Sequence, residues 1–268
     1  MIDLERNIGT KIRSEWFHGL GSISMALADR LYNIKVSSET LDNLANLEGH
    51  LKQGSVLAYI NHVCLEDGPL AMAFLMQRLG RSIRSIGAPA SKKHLDGRDG
   101  LRDALVMRFA DFVGVNIVPI VQHYDTAEYD LETIEKSRMD FARTAKKVLS
   151  QPGGLFLLAP EGTRSYTKGL QEGQKGIGFL ATLLRRNPVP VLLAPLGIIP
   201  QGQYERGEIN WKLRQDGSGD FAIRVGQPFG LDEFAGIRDR GAITDIIMIK
   251  LADILPEDMR GFYSFKSF

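Results

Sequence analysis

The feature that most constrains this chain is a rhythm of short apolar runs alternating with longer segments of helical period. SVLAYI (55–60), RSIRSIGA (81–88), NIVPIV (116–121), LFLLAP (155–160) and VPVLLAPLGI (189–198) read as strands. GPLAMAFLMQRLG (68–80), LRDALVMRFADFVG (101–114) and QKGIGFLATLLRRN (174–187) read as helices between them. So does the segment carrying Ile134, Arg138, Phe141, Ala145 and Val148 on one stripe. Strands without polar alternation are buried on both faces. Such strands, separated by helices, predict an α/β fold with a mainly parallel sheet covered by helices on both faces. EINWKL and FAIRVG flank RQDGSGD, which predicts a late hairpin and makes the sheet mixed.

At the front, Trp16, Leu20, Ile23, Leu27 and Leu31 repeat at helical spacing. This predicts an amphipathic helical segment over 1–35 whose stripe covers the sheet, followed by one domain over 36–268. NIKVSSETLDNL reads as a short strand and a turn, and GAITDIIMIKLADILP as a closing helix.

Charge and cysteine content narrow the function classes. The formal net charge is +1, so no global field marks a nucleic-acid partner. The single cysteine, Cys64, excludes a disulfide framework and a multi-cysteine metal site within one chain. The most apolar run, VPVLLAPLGIIP, carries three prolines and falls short of the roughly 20 residues of a spanning helix. MIDLERNIGTKIRSEW lacks the apolar core of a secretory signal. The expected place is therefore the cytoplasm, with any membrane contact peripheral. Between Arg78 and Arg108 eight Lys or Arg face three Asp. That excess suits an anionic partner such as phosphates, an acidic protein or lipid headgroups, or else a solvated face.

In α/β sheets, ligands bind beyond the carboxyl ends of the strands. Two ends here are loaded with polar groups. After SVLAYI comes NHVCLEDGP, with His62, Glu66 and Asp67; after LFLLAP comes EGTRS, with Glu161, Gly162, Thr163 and Arg164. If the two strands are near neighbours, the clusters share one crevice. Five positions on a regular helix are about 140° apart, so His62 and Asp67 meet only across a bend from loop to helix. There the carboxylate orients one ring nitrogen and leaves the other to take a proton from a bound hydroxyl. The bland alternatives are a helix cap for Asp67 and a turn for PEG. Arg164 offers a planar fork for phosphate or carboxylate. Lys175 stands at the start of the next helix, where anions are favoured. Gly173, Gly176 and Gly178 reverse the dinucleotide fingerprint and carry little weight.

Together, NHxxxxD and PEGTRS resemble the signature pair of the glycerolipid acyltransferases, the 1-acylglycerol-3-phosphate and glycerol-3-phosphate acyltransferase family. KGIGFLATLLRRNPVPVLLAPLGI, RVGQPF and ILPEDMRGFYS resemble that family's later segments, so the likeness spans roughly 30–265. It implies the glycerolipid acyltransferase fold and transfer of a fatty acyl group from acyl-CoA or acyl carrier protein to a glycerolipid hydroxyl in phospholipid biosynthesis. The implied acceptor is lysophosphatidate or glycerol 3-phosphate. His62 would be the general base and Asp67 its orienter. Glu161, Gly162, Thr163 and Arg164 would bind the acceptor, with Lys175 assisting. The resemblance implies no metal and no cofactor beyond the thioester substrate, and a peripheral position at the inner face of a membrane. The chain departs from the family where a second-motif arginine would stand, at Val121 or Gln122, and Ala159 replaces a common aromatic.

Other readings of the same residues stay in play. Cys64 beside His62 admits a thioesterase or lipid hydrolase on the same scaffold, against a thiol that merely packs. His62, Glu66 and Asp67 match no recognised zinc spacing. A non-catalytic lipid-binding relative would not need the His62/Asp67 pair.

Overall fold

The central strands form where apolar side chains find cover on both sides. A computed structural model describes residues 2–31, 33–64, 67–96, 114–201, 204–205, 208–209 and 220–265. β2 (Ser55–Ile60) and β5 (Gly154–Leu158) are buried at every position. Eight strands form one mixed sheet in the order β1-β9-β6-β2-β5-β3-β4, with β10 (Phe229–Gly230) also pairing β6. β3 (Ser85–Ser91), β4 (Val115–Ile120), β5, β2 and β6 (Val191–Pro200) run parallel. β9 (Asp220–Val225) runs against β6 and carries β1 (Asn33–Val36) at the edge. β7 (Tyr204–Glu205) and β8 (Glu208–Ile209) pair with each other as a separate two-stranded sheet among the described residues.

The connections place the helices. From β2 the chain crosses by α3 (Asp67–Leu79) to β3, on one side of the sheet order. From β4 it returns by α5 (Leu131–Leu149) to β5, and from β5 by α6 (Gly176–Leu184) to β6. Right-handed crossovers in opposite directions put their helices on opposite faces. Accordingly α1 (Ile2–Leu31) and α2 (Ser38–Leu51) contact α3, while α5 and α7 (Arg240–Asp253) contact α6. A one-turn α4 (Lys92–Leu95) follows β3.

Several expectations need correction. Most of the stripe on α1 does not face the protein: Leu20 packs against the core, but Trp16, Ile23 and Leu27 are 49%, 63% and 56% exposed, while Ser14, Phe17, Gly21 and Met25 are buried. A close backbone approach decides this. A Cβ on Gly80 would stand 2.6 Å from the His18 Cα, one on Gly21 would overlap Gln77, and His18 Nδ1 lies 2.8 Å from the Gln77 carbonyl oxygen. The supposed turn SSETLDNL is α2, capped by Ser37, whose hydroxyl accepts from the Thr40 N–H at 3.2 Å. On α5 the buried stripe takes Ser137, and Arg138 is exposed. FAIRVG pairs with β6 and β1, and the described part of EINWKL, Glu208–Ile209, pairs with β7. The helix expected over 101–114 lies, apart from Gly114, outside the described residues.

Candidate active site

β2 and β5 are neighbours, with Tyr59 opposite Leu158. Their onward connections leave in opposite directions, so the crevice at their carboxyl ends is a topological switch point, the usual ligand position in an open α/β sheet. Both polar clusters open into it. Asn61, which the sequence reading passed over, fixes the end of β2. Its amide donates to the Ile198 carbonyl at 2.9 Å and accepts from the Ile198 N–H at 2.7 Å, as one more ladder pair on β6.

The chain then bends, as the pairing of His62 with Asp67 requires. His62 Nδ1 lies 3.0 and 2.9 Å from the two carboxylate oxygens of Asp67. Asp67 Oδ2 also accepts from the N–H groups of Val63 at 2.7 Å and Cys64 at 3.0 Å. Asp67 is wholly buried and serves residues upstream of it, so capping α3 is not its role in these contacts. Burial pulls the imidazole pKa down, but the charge and hydrogen bond of Asp67, with the charge of Glu161, outweigh it. Arg164 pulls the other way, and the net shift is upward. His62 keeps 25% of its side chain exposed.

Glu161 sits across from this pair and is almost completely buried. Its Oε1 accepts from the His62 N–H at 2.7 Å and its Oε2 from the Gln171 N–H at 2.8 Å. Both oxygens are thus spent on backbone, and the side chain braces the His62 loop. Burial pushes its carboxyl up to about 7, against the pull of those donors and of His62. A second brace runs from the Ser165 N–H to the His62 carbonyl at 2.7 Å. Ser165 donates its hydroxyl to Gly169 at 2.6 Å. Gly162 has φ +69°, the left-handed region that favours glycine, and turns the chain from Glu161 toward Arg164.

Arg164 makes no ion pair or hydrogen bond among the described residues, yet it acts electrostatically on both His62 and Tyr124. Lys175 is exposed and its chain runs beside Gly241 at the start of α7, with Cε 3.8 Å from where a Cβ there would stand. Gly173 and Gly178 let α6 and its preceding loop meet α7: added Cβ atoms would press on Met248 and Thr244, or on the Arg240 carbonyl. Glu66 lies outside the described residues. Cys64 is fully buried in the core.

The basic stretch is split by the sheet. Arg81 and Arg84 precede β3, at the end remote from His62, whereas Lys92 and Lys93 follow it. Lys93 binds Asp125 at 2.6 Å and Glu128 at 2.7 Å, clasping the loop after β4. That loop carries Tyr124, half-exposed, whose phenol meets the Thr163 side chain. The sequence reading took Lys93 only as part of the basic stretch and missed Tyr124 and Asp125, because a polar loop after an edge strand has no pattern of its own. At the positions where an arginine was sought, Val121 is buried and donates its N–H to Ser137 at 3.3 Å, and the Gln122 side-chain oxygen is buried without a partner among the described residues.

No protein-family model matches the chain, and no curated protein matches its sequence. Among the described residues no helix is long and apolar enough to cross a membrane.

Proposed function

We propose that the protein is an O-acyltransferase moving a fatty acyl group from an acyl-CoA or acyl carrier protein thioester to a hydroxyl of a lysophospholipid or glycerol-phosphate acceptor. The observation that carries this reading is the His62–Asp67 pair at the switch point, with the Arg164 guanidinium, unpaired among the described residues, acting electrostatically on His62. Asp67 holds the proton on Nδ1, which leaves Nε2 as the base. Nε2 takes the acceptor's hydroxyl proton while the oxygen attacks the thioester carbonyl. The carbon–sulfur bond then breaks, and the departing thiolate takes the proton back from His62. The Ser165 hydroxyl is occupied by the Gly169 carbonyl, and the Cys64 thiol is buried. This favours transfer to a substrate hydroxyl over a thiol-based hydrolase. Arg164 supplies a fork for the acceptor's phosphate. The exposed Trp16, Ile23 and Leu27 stripe supports a peripheral position on a membrane.

The test is an acylation panel of lysophosphatidate, glycerol 3-phosphate and other lysolipids against acyl-CoA and acyl carrier protein donors. Transfer that disappears in His62→Ala and persists in Cys64→Ser supports the reading. Loss of turnover in Cys64→Ser with the fold retained points to the hydrolase, and no product from any pair sinks the proposal.

A further inference from the structure

The closing segment of the chain folds back onto the loop that follows Arg164. Its two short turns, Glu257–Met259 and Gly261–Tyr263, lie along residues 169–173. The Leu170 N–H donates to the Met259 carbonyl at 3.0 Å, and the Phe262 N–H donates to the Leu170 carbonyl at 2.8 Å. The Gly173 N–H donates to the Tyr263 hydroxyl at 3.0 Å. The two backbones are in contact: a Cβ on Gly169 would stand 2.9 Å from the Gly261 Cα, and one on Gly261 would overlap Leu170. Gly261 also has φ +49°, where glycine is favoured. Tyr263 is 2% exposed, and its hydroxyl donates in turn to Asp245 Oδ1 on α7 at 3.2 Å. Burial raises its pKa well above the ordinary phenol value, so the hydroxyl keeps its proton.

Gln171 lies between the residues so tied, and its N–H is the donor that Glu161 Oε2 accepts at 2.8 Å. Glu161 Oε1 accepts from the His62 N–H at 2.7 Å. An unbroken path therefore runs from Tyr263 through the loop and Glu161 to the backbone that carries the imidazole. Glu161 is 1% exposed and joins backbone to backbone, so a shift of the loop passes to His62. Small displacements of a reacting group slow a reaction steeply. Resting on the acyltransferase reading, we propose that Tyr263 is a positioning residue for His62, holding residues 169–173 in place and, through Gln171 and Glu161, the base itself. It touches neither substrate.

The experiment is a double-mutant cycle of Tyr263→Phe and Glu161→Gln, read by steady-state acyl transfer and by amide hydrogen exchange. Tyr263→Phe keeps the ring and removes the acceptor of the Gly173 N–H. It should lower kcat about three- to tenfold, the worth of one neutral hydrogen bond, and leave the acceptor KM within about twofold. Glu161→Gln exchanges one acceptor oxygen for an NH2 and cuts the path at either His62 or Gln171. In that background Tyr263→Phe should lower kcat by less than about twofold. Exchange at the His62 and Gln171 amides should rise about tenfold in Tyr263→Phe. The Ile198 amide, held by Asn61 at the same end of the sheet, should keep its rate. A tyrosine that only stabilised the fold would lower kcat by the same factor in both backgrounds and speed exchange at Ile198 together with His62. That pattern, or unchanged exchange at His62, overturns the inference while the acyltransferase reading stands. Absence of acyl transfer to any acceptor overturns that reading, and exchange at His62 then decides the positioning role by itself.

Discussion

Asp67→Asn tests the site most directly, because four short contacts converge on one buried carboxylate. An asparagine offers one acceptor oxygen where the aspartate offers two. The Val63 and Cys64 N–H groups, at 2.7 and 3.0 Å, claim that oxygen. The amide NH2 then faces His62 Nδ1 and must donate to it. Nδ1 can accept only if it has lost its proton, so the ring proton moves to Nε2, the nitrogen required as base. A carboxylate-to-amide change that forces this tautomer costs about 10⁴ in kcat. The pH profile shifts as well. Asp67 raises the His62 pKa against burial and Arg164, so its neutralisation lowers the pKa and moves the acid limb of the rate profile to lower pH. Release of coenzyme A thiol, followed from about pH 5.5 to about pH 9 with a saturating acceptor, reads both effects. Circular dichroism confirms that the variant is folded. A variant that keeps more than about one-tenth of the wild-type kcat, or an acid limb that stays in place, would refute the assignment of Asp67 as the group that sets the tautomer.

Three further outcomes follow from the same geometry. Arg164→Ala should raise the acceptor KM by about 10- to 100-fold, the worth of hydrogen bonds to a charged group, with a smaller change in kcat; an unchanged KM in steady-state kinetics would remove Arg164 from the headgroup site. Glu161, about 7 when folded against about 4.3 unfolded, binds more protons in the native state, so its contribution to stability falls as pH rises between those values, by at most about 4 kcal/mol. The His62–Asp67 contribution has the same sign: it is complete below about pH 6.5 and lost as pH rises through the higher folded value. Urea denaturation at several pH values should therefore show a slope that Glu161→Gln flattens, and parallel curves for the two proteins would contradict the burial argument. The Tyr59 hydroxyl is fully buried without a hydrogen-bond partner among the described residues, and burial holds its pKa well above the ordinary phenol value. Tyr59→Phe should accordingly keep or gain stability, by about 1 kcal/mol, and a loss on thermal denaturation would reveal a partner for that oxygen.

The strands were the most legible part of the sequence. SVLAYI matches β2 residue for residue, and LFLLAP overlaps β5, because a strand buried on both faces needs a continuous apolar run and stops where polarity returns. The residues His62, Asp67, Glu161 and Arg164 were legible for the same reason, since polar groups that follow such a run mark a strand end. The bend that joins His62 to Asp67 was legible from helix angles alone. Helix faces were less so. Trp16, Leu20, Ile23 and Leu27 recur at helical spacing, yet of these only Leu20 packs and α1 docks mainly through Phe17, Gly21 and Met25, because small residues at Gly21 and Gly80 allow a closer backbone approach. Periodicity reports that a face is apolar; the shape of the partner decides which face is used.

What the sequence determined by itself was therefore local: which runs are strands, where they end, and which chemistry stands at those ends. Only the tertiary structure decided that β2 and β5 lie side by side, because strand order depends on crossovers that no local pattern encodes. It also decided that Glu161 spends both oxygens on backbone and that Lys93 binds both Asp125 and Glu128. Each of these joins residues from different strand ends. Charge at a site is the sum over such long-range neighbours, so it becomes readable only once the sheet has brought them together.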